Sequence, residues 1–543
     1  MKKLTTNLLL TMMFMLLIAA CSNGTDKPSN TSKPQATPNN SSTTESSSSG
    51  DKYDPPIKMT FAVGRVDADV VFPDGQSTKD NQWTRLVEEK LGIKLDVTLA
   101  MPKGQEFTQK VNALIVTNDL PDLFTVSEEE MIQVDQLIQA GIAEDLTDLF
   151  EEYASPLVKQ LMPDEALEPL KRNGRLYFLP NLQRPAEEGF MTWIRTDWLK
   201  KLNIPEPKTF QDVIAIAEAF KAMNPTKNYG FQAGTESWDM YSLSGLFAAY
   251  HAYPNAWLKD ANGNLVNGNI QPEVKAALQS LQNLKKEGLI SNEWTLGDDG
   301  EKARQDLING RVGIHFGQWW APEWPLQLVK DNDPEAEWKA FKFMSVDGQP
   351  ALHLQNTVSL TGLYVLKKGH SNPEALIKML NLVADFYWGE NPQADPDNSN
   401  LWKLAPGDAQ PWGKNIVFMQ SIEKALKSGD ASKLHPGEQV LYNMIEDYNN
   451  GNDEFWGVSL EYGIDGSLGL YDSFQWINNE FFGTPTVTMN TKQANLNKLF
   501  EDAFISIVNG ADINKFDTFV EQWKKQGGDD ITKEVNDWYK SRK

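Results

Sequence analysis

Cysteine is almost absent: Cys21 is the only one in 543 residues. No disulfide framework is possible, and the body of the chain has no cysteine-based metal site or catalytic thiol. Histidine is scarce as well. His251, His315, His353, His370 and His435 are all there are, and none is paired at the spacing of a zinc-protease helix. There is no Gly-x-Ser-x-Gly elbow, no phosphate-binding loop ending in Lys-Ser/Thr and no dinucleotide fingerprint. Only a pair of glycosidase carboxylates would leave no local mark among 74 acidic residues. Bases are too few for a nucleic-acid partner: 51 against 74 acids leaves a net charge of −23, whereas that affinity comes from neutralised phosphates. Past the first 20 residues, no apolar run approaches the roughly 20 residues that span a bilayer. These absences point away from an enzyme and from any cofactor.

What is present begins at the N-terminus. Lys2 and Lys3 precede an apolar run over 8–20 that is too short for a permanent membrane helix but suits the core of a secretion signal. The run ends in Leu17-Ile18-Ala19-Ala20-Cys21. This resembles the lipobox of bacterial lipoproteins, which implies a signal peptide over 1–21 and a diacylglycerol on Cys21. Burying acyl methylenes at about 0.8 kcal/mol each makes two chains a durable anchor where one is marginal. Residues 22–51 are rich in Ser, Thr, Asn and Pro and lack aromatics, so they read as a flexible stalk.

The remainder has a globular composition, 40% hydrophobic over the chain, with 17 Trp, 25 Phe and 14 Tyr. Strands are expected at 58–63, 93–99 and 122–126, separated by helices at 81–91 and 107–116. Strand–helix alternation implies an α/β fold with a parallel sheet, whose ligands sit beyond the carboxyl ends of the strands. Arg65 and Asp67 follow the first strand and are candidate binding residues, as is the segment 127–130. Further strands are expected at 174–180, 190–195 and 312–316. Thr209 and Asp212 form a capping box opening a helix to 223. The last third reads as helical at 439–448, 495–508 and 516–524. Asp260, Asn262 and Asn264 alternate like calcium-loop donors. An EF-hand, however, needs Gly at the sixth position and Glu at the twelfth, where Leu265 and Gln271 stand. An Asn-Gly hairpin is the better reading and no metal is expected. Asp395, Asp397 and Ser399 make a similarly weak cluster.

The stretches "LPDLFTV" (120–126), "NGRLYFLP" (173–180), "WIRTDWLKKLNIPEPKTFQDV" (193–213), "DANGNLVNGNIQPEVKAALQSLQNLKKEGLI" (260–290), "INGRVGIHFGQWW" (308–320) and the ending from 509 to 540 occur together and in order. Together they resemble the extracellular solute-binding proteins, family 1, of carbohydrate ABC importers, especially the large lipoprotein members of Bacillus and Paenibacillus relatives. The resemblance implies a two-lobed fold with hinge strands and a central ligand cleft, divided as 52–182 plus 316–367 and 183–315 plus 368–543. Crossings are then expected near 180–184, 314–318 and 366–369. It also implies a monomeric receptor on the outer face of a Gram-positive membrane that passes an oligosaccharide to permease subunits.

Sugars offer C–H faces to aromatic rings and hydroxyl edges to charged or amide groups. On the resemblance, Trp319 and Trp320 follow a hinge strand where a stacking aromatic is common. Trp238 with Asp239 stands where relatives supply an aromatic and an acid, and Arg184 lies at the first crossing. Trp388, Trp402 and Trp412 fall in a stretch that departs from smaller members, with Trp388 the first choice. The same fold could accept a peptide, polyamine or other metabolite. A surface glycan hydrolase or an adhesive lipoprotein are the readings from other classes.

Overall fold

The computed structural model describes residues 52–542 apart from 68–69, 74, 103, 118, 127–130, 184–186, 188, 235–241, 297–299, 358 and 396–398. The chain enters β1 (Ile57–Val63), then helix Gln82–Leu91. Asn81 caps that helix through the N–H groups of Trp83 and Thr84, and Gly92 ends it with a positive φ of 66°. Glycine is required there, because a Cβ would strike the Tyr53 carbonyl. β2 (Ile93–Ala100) and β3 (Leu123–Val126) follow, both parallel to β1, and β4 (Leu179–Gln183) completes this part of the chain. The expected strand at 174–180 survives only at its end, since Gly174 takes a turn conformation with φ 74°.

A second sheet starts with β5 (Met191–Arg195) and β6 (Tyr229–Phe231). Between them the Thr209–Asp212 capping box opens helix Phe210–Met223 as expected. β7 (Trp257–Lys259) and β8 (Leu265–Asn267) form the hairpin, with Asp260 Oδ1 accepting from the N–H groups of Asn262 and Asn264. That carboxylate is committed to the turn. Then come β9 (Val312–Gly317), β10 (Trp338–Phe341), β11 (His353–Asn356), β12 (Ser359–Leu366) and β13 (Trp476–Asn479). The first sheet has the order β2-β1-β3-β12-β4, with β12 antiparallel to both neighbours. The second has the order β10-β5-β9-β6. In β5, alternation sends Met191 and Trp193 to one core and Ile194 to another.

The crossings differ from expectation at two places. β9 lies inside the second sheet, and the chain continues through Leu326, Val329 and Trp338 in a core on that sheet, so nothing crosses at 314–318. After β12 the helix Ala375–Trp388 buries Leu376, Leu380 and Val383 against the first sheet's core, which extends to Ala409. The chain therefore stays with the first core at 366–369. Amphipathic patterns state that a segment is half-buried, not which core it covers.

His353 begins β11 and stacks between Phe343 (4.4 Å) and Phe474 (3.6 Å). Its Nδ1 lies 2.9 Å from the Phe190 carbonyl and its Nε2 accepts from the Phe343 N–H at 3.4 Å, an arrangement that requires a neutral ring donating from Nδ1. Burial pushes its pKa down to about 3, and burial does the same to His315. Between about 6.5 and 3 the unfolded chain holds protons that the folded chain does not. Stability from these rings is thus complete above about pH 6.5 and is lost as pH falls towards 3. NMR should show no titration of either ring between about pH 8 and 5. A midpoint above about 6 would contradict the assignment.

Candidate functional site

A cavity of about 480 Å³ opens where the first core meets the second. Asn181, Trp388, Trp402 and Asp408 come from elements of the first core, and Glu323, Phe418, His435 and Tyr462 from elements around the second sheet. Asp395 organises one wall. Its Oδ1 accepts from the Tyr387 hydroxyl (2.8 Å) and from Gln82 Nε2 (2.9 Å), and its Oδ2 accepts from the Trp402 N–H (2.8 Å). Trp388 stacks on the His435 imidazole at 4.7 Å and 20°. That ring is itself fixed: Nδ1 accepts from the Gly437 N–H at 3.1 Å, so Nε2 donates to the Tyr387 carbonyl at 2.6 Å. Both indoles are half-buried and hence present part of their surface.

Arg65 lies just beyond β1 and is 8% exposed. Its guanidinium sits 4.6 Å from the Trp402 ring centre, 3.2 Å from the Tyr364 hydroxyl and 3.6 Å from the Asp408 carboxylate. Asp408 also accepts from Asn181 Nδ2 at 2.6 Å. Burial raises the Asp408 pKa, while Arg65 and Lys414 oppose the rise. Asp67 is paired with Lys403 at 3.0 Å. Lys414 lines the cavity with no ion-pair or hydrogen-bond partner among the described residues, and burial lowers its pKa against the pull of Asp408, Glu187 and Asp395. Burial raises Glu323, and burial together with Glu323 raises Glu461 well above the carboxylate range. The cavity thus combines aromatic faces, amides, a lysine and carboxylates, two of which, Glu323 and Asp408, burial pushes up in pKa. Such a lining suits a polyhydroxylated ligand.

Arg65 and Asp67 are brought to this neighbourhood, and Trp388 lines the cavity. Trp319 does not: it is 8% exposed and packs edge-on against Tyr462 at 5.7 Å, inside the core that holds Trp193 and Leu326. Its neighbour Trp320 lines a smaller recess with Gln232, Arg304 and Trp324, and stacks on Trp324 at 6.2 Å. Cys21, Arg184, Trp238 and Asp239 lie outside the described residues, as does the segment 127–130. Asp408 and Lys414 were not legible as site residues, because nothing in their local spacing separates them from other charges, and Asp395 stood out only as part of a weak metal-like cluster. Trp402, second to Trp388 by sequence, lines the cavity as well. Among the described residues, no group of three His, Cys, Asp or Glu side chains is placed to hold a metal.

Residues 73–385 match the family model for bacterial extracellular solute-binding proteins. Lipoprotein LipO of Bacillus subtilis strain 168 is 21% identical over 502 residues, 88% of this chain and 92% of that one. The polygalacturonan/rhamnogalacturonan-binding protein YtcQ of the same strain is 21% identical over 239 residues, covering 42% of this chain and only 45% of YtcQ. The solved structure of the Streptococcus pneumoniae ABC-transporter substrate-binding protein FusA with kestose superposes with a TM-score of 0.60 at 18% identity. It covers 90% of this chain and 100% of that chain, a likeness of fold. No described helix is long and apolar enough to cross a membrane.

Proposed function

The chain belongs to the bacterial extracellular solute-binding proteins, and we propose that it captures an oligosaccharide in the cavity between its cores and delivers it to an ABC importer. The observation that carries this reading is one cavity holding two half-buried indoles beside fixed amide and charged groups. Indole faces suit the C–H faces of pyranose or furanose rings, and Asn181, Gln410 and Lys414 suit hydroxyl edges. The glycans named for YtcQ and FusA support the ligand class.

Residues between β4 and β5, and between β11 and β12, link the first sheet to elements of the second part. Movement of the two parts towards each other closes the cavity on its ligand, and closure is favoured by as much as the ligand binds the closed form better. A thermal-shift screen of plant and bacterial oligosaccharides is expected to raise the melting temperature for a cognate sugar. Small-angle scattering with that sugar should then give a smaller radius of gyration. Saturation by a sugar with an unchanged scattering profile would defeat the closure mechanism, and no shift with any glycan would defeat the ligand class.

Lipid on Cys21 tethers the receptor near the permease, and a monomer suffices for that task. Cys21→Ser should move the protein from the detergent phase to the aqueous phase. Unchanged partitioning of the variant would refute the anchor.

A further inference from the structure

A second and larger cavity, about 860 Å³, shares no lining residue with the first. It opens between helix Met131–Gln139, which belongs to the first core, and the β7–β8 hairpin with the start of helix Met489–Val508. Its chemistry is different. Carboxamides dominate the wall, Asp135 is its one charged side chain, and neither lysine nor arginine lines it.

The polar atoms around this cavity are held in place yet left with open valences. Asn267 and Asn269 are 6% and 4% exposed. Their Oδ1 atoms accept from the N–H groups of Asn269 (3.1 Å) and Asn255 (2.7 Å), which fixes both side chains. Their Nδ2 donors have no partner among the described residues. From the first core, Asp135 is 6% exposed and its Oδ1 is taken by Arg172 Nε at 2.7 Å, while its Oδ2 has no partner among the described residues. Of these atoms only Asp135 Oδ2 is fully buried, and a buried polar atom without a partner costs about 1–3 kcal/mol. A wall of carboxamides, each with a donor and an acceptor, is what hydroxyl groups, donor and acceptor at once, can satisfy. Trp257 adds aromatic surface to the same wall. An anionic group would find no lysine or arginine lining the cavity to pair with, since Arg172 is committed to Asp135.

We propose that this cavity is a second saccharide subsite, one that takes an uncharged, hydroxyl-rich stretch of glycan. The proposal rests on the reading of the chain as a glycan receptor and adds to it a division of labour. The cavity containing Lys414 serves a part of the ligand bearing polar or acidic groups, and the amide-lined cavity serves a neutral part. Glycans that reach both are held by both halves of the molecule.

The test uses saturation-transfer NMR with two probes, kestose as a neutral trisaccharide and trigalacturonate as an anionic one. The full chain is compared with Asn490→Trp and Gln139→Trp, which plug the amide-lined cavity from opposite walls at exposed lining positions, and with Trp388→Ala in the first cavity. Melting curves identify which plugs remain folded, and either plug is sufficient. The kestose signal is expected to fall severalfold in a folded plug, with the trigalacturonate signal unaffected by plugging and suppressed in Trp388→Ala. A kestose signal unchanged by the plugs overturns the second subsite, as does equal suppression of both probes or no kestose signal from the unaltered chain. The first reading is judged separately: binding at the first cavity alone would vanish in Trp388→Ala and survive the plugs.

Discussion

Trp319→Ala is expected to lower the unfolding free energy by about 3–5 kcal/mol, the usual cost of emptying a large aromatic site in a packed core. The indole is 8% exposed, meets Tyr462 edge-on and shares a core with Trp193, Leu326 and Val329. The loss combines the transfer free energy of the ring with a cavity that neighbours in β5 and β9 are too constrained to fill. Denaturant unfolding followed by circular dichroism reads it directly. Sugar affinity of the protein that remains folded should be nearly unchanged. A variant with normal stability and lost affinity would return Trp319 to the ligand.

Trp388→Ala and Trp402→Ala should do the reverse. Each indole lines the first cavity, and each is already held by the protein, Trp388 on His435 and Trp402 under Arg65. A ring held in place in advance loses little entropy on binding. An aromatic contact contributes about 0.5–1.5 kcal/mol beyond the apolar area it covers, and the area adds to that at about 25 cal/mol per Å². A loss of a few kcal/mol follows, and each 1.4 kcal/mol is tenfold in affinity. Calorimetric titration with the cognate sugar is expected to show at least tenfold weaker binding for each variant. Trp402→Ala should be the worse folded of the two, since it also removes the ring beneath a buried guanidinium. Wild-type affinity in both would move the ligand to other residues, with Trp320 and Trp238 next in order.

Local chemistry in the sequence determined most of the elements. Asn81 and Gly92 bound the first helix, Thr209 with Asp212 opens another, and the Asp260 turn makes a hairpin, because each motif satisfies its own backbone within a few residues. The alternation of β2 and the position of Arg65 just past β1 were legible for the same reason. Family membership was legible too, since ordered stretches along the whole chain carry it. Tertiary structure alone decided which core each segment covers. The pattern of β10 or of helix Ala375–Trp388 has no term for which sheet it will meet, and the expected crossings at 314–318 and 366–369 were misplaced for that reason. It also separated Trp319 from Trp320, adjacent residues that the chain direction sends one into the core and the other to a recess. And it brought Arg65 to Trp402 and Asp408, which lie more than 300 residues further along the chain. Their partnership depends on distance in space, which sequence spacing does not encode.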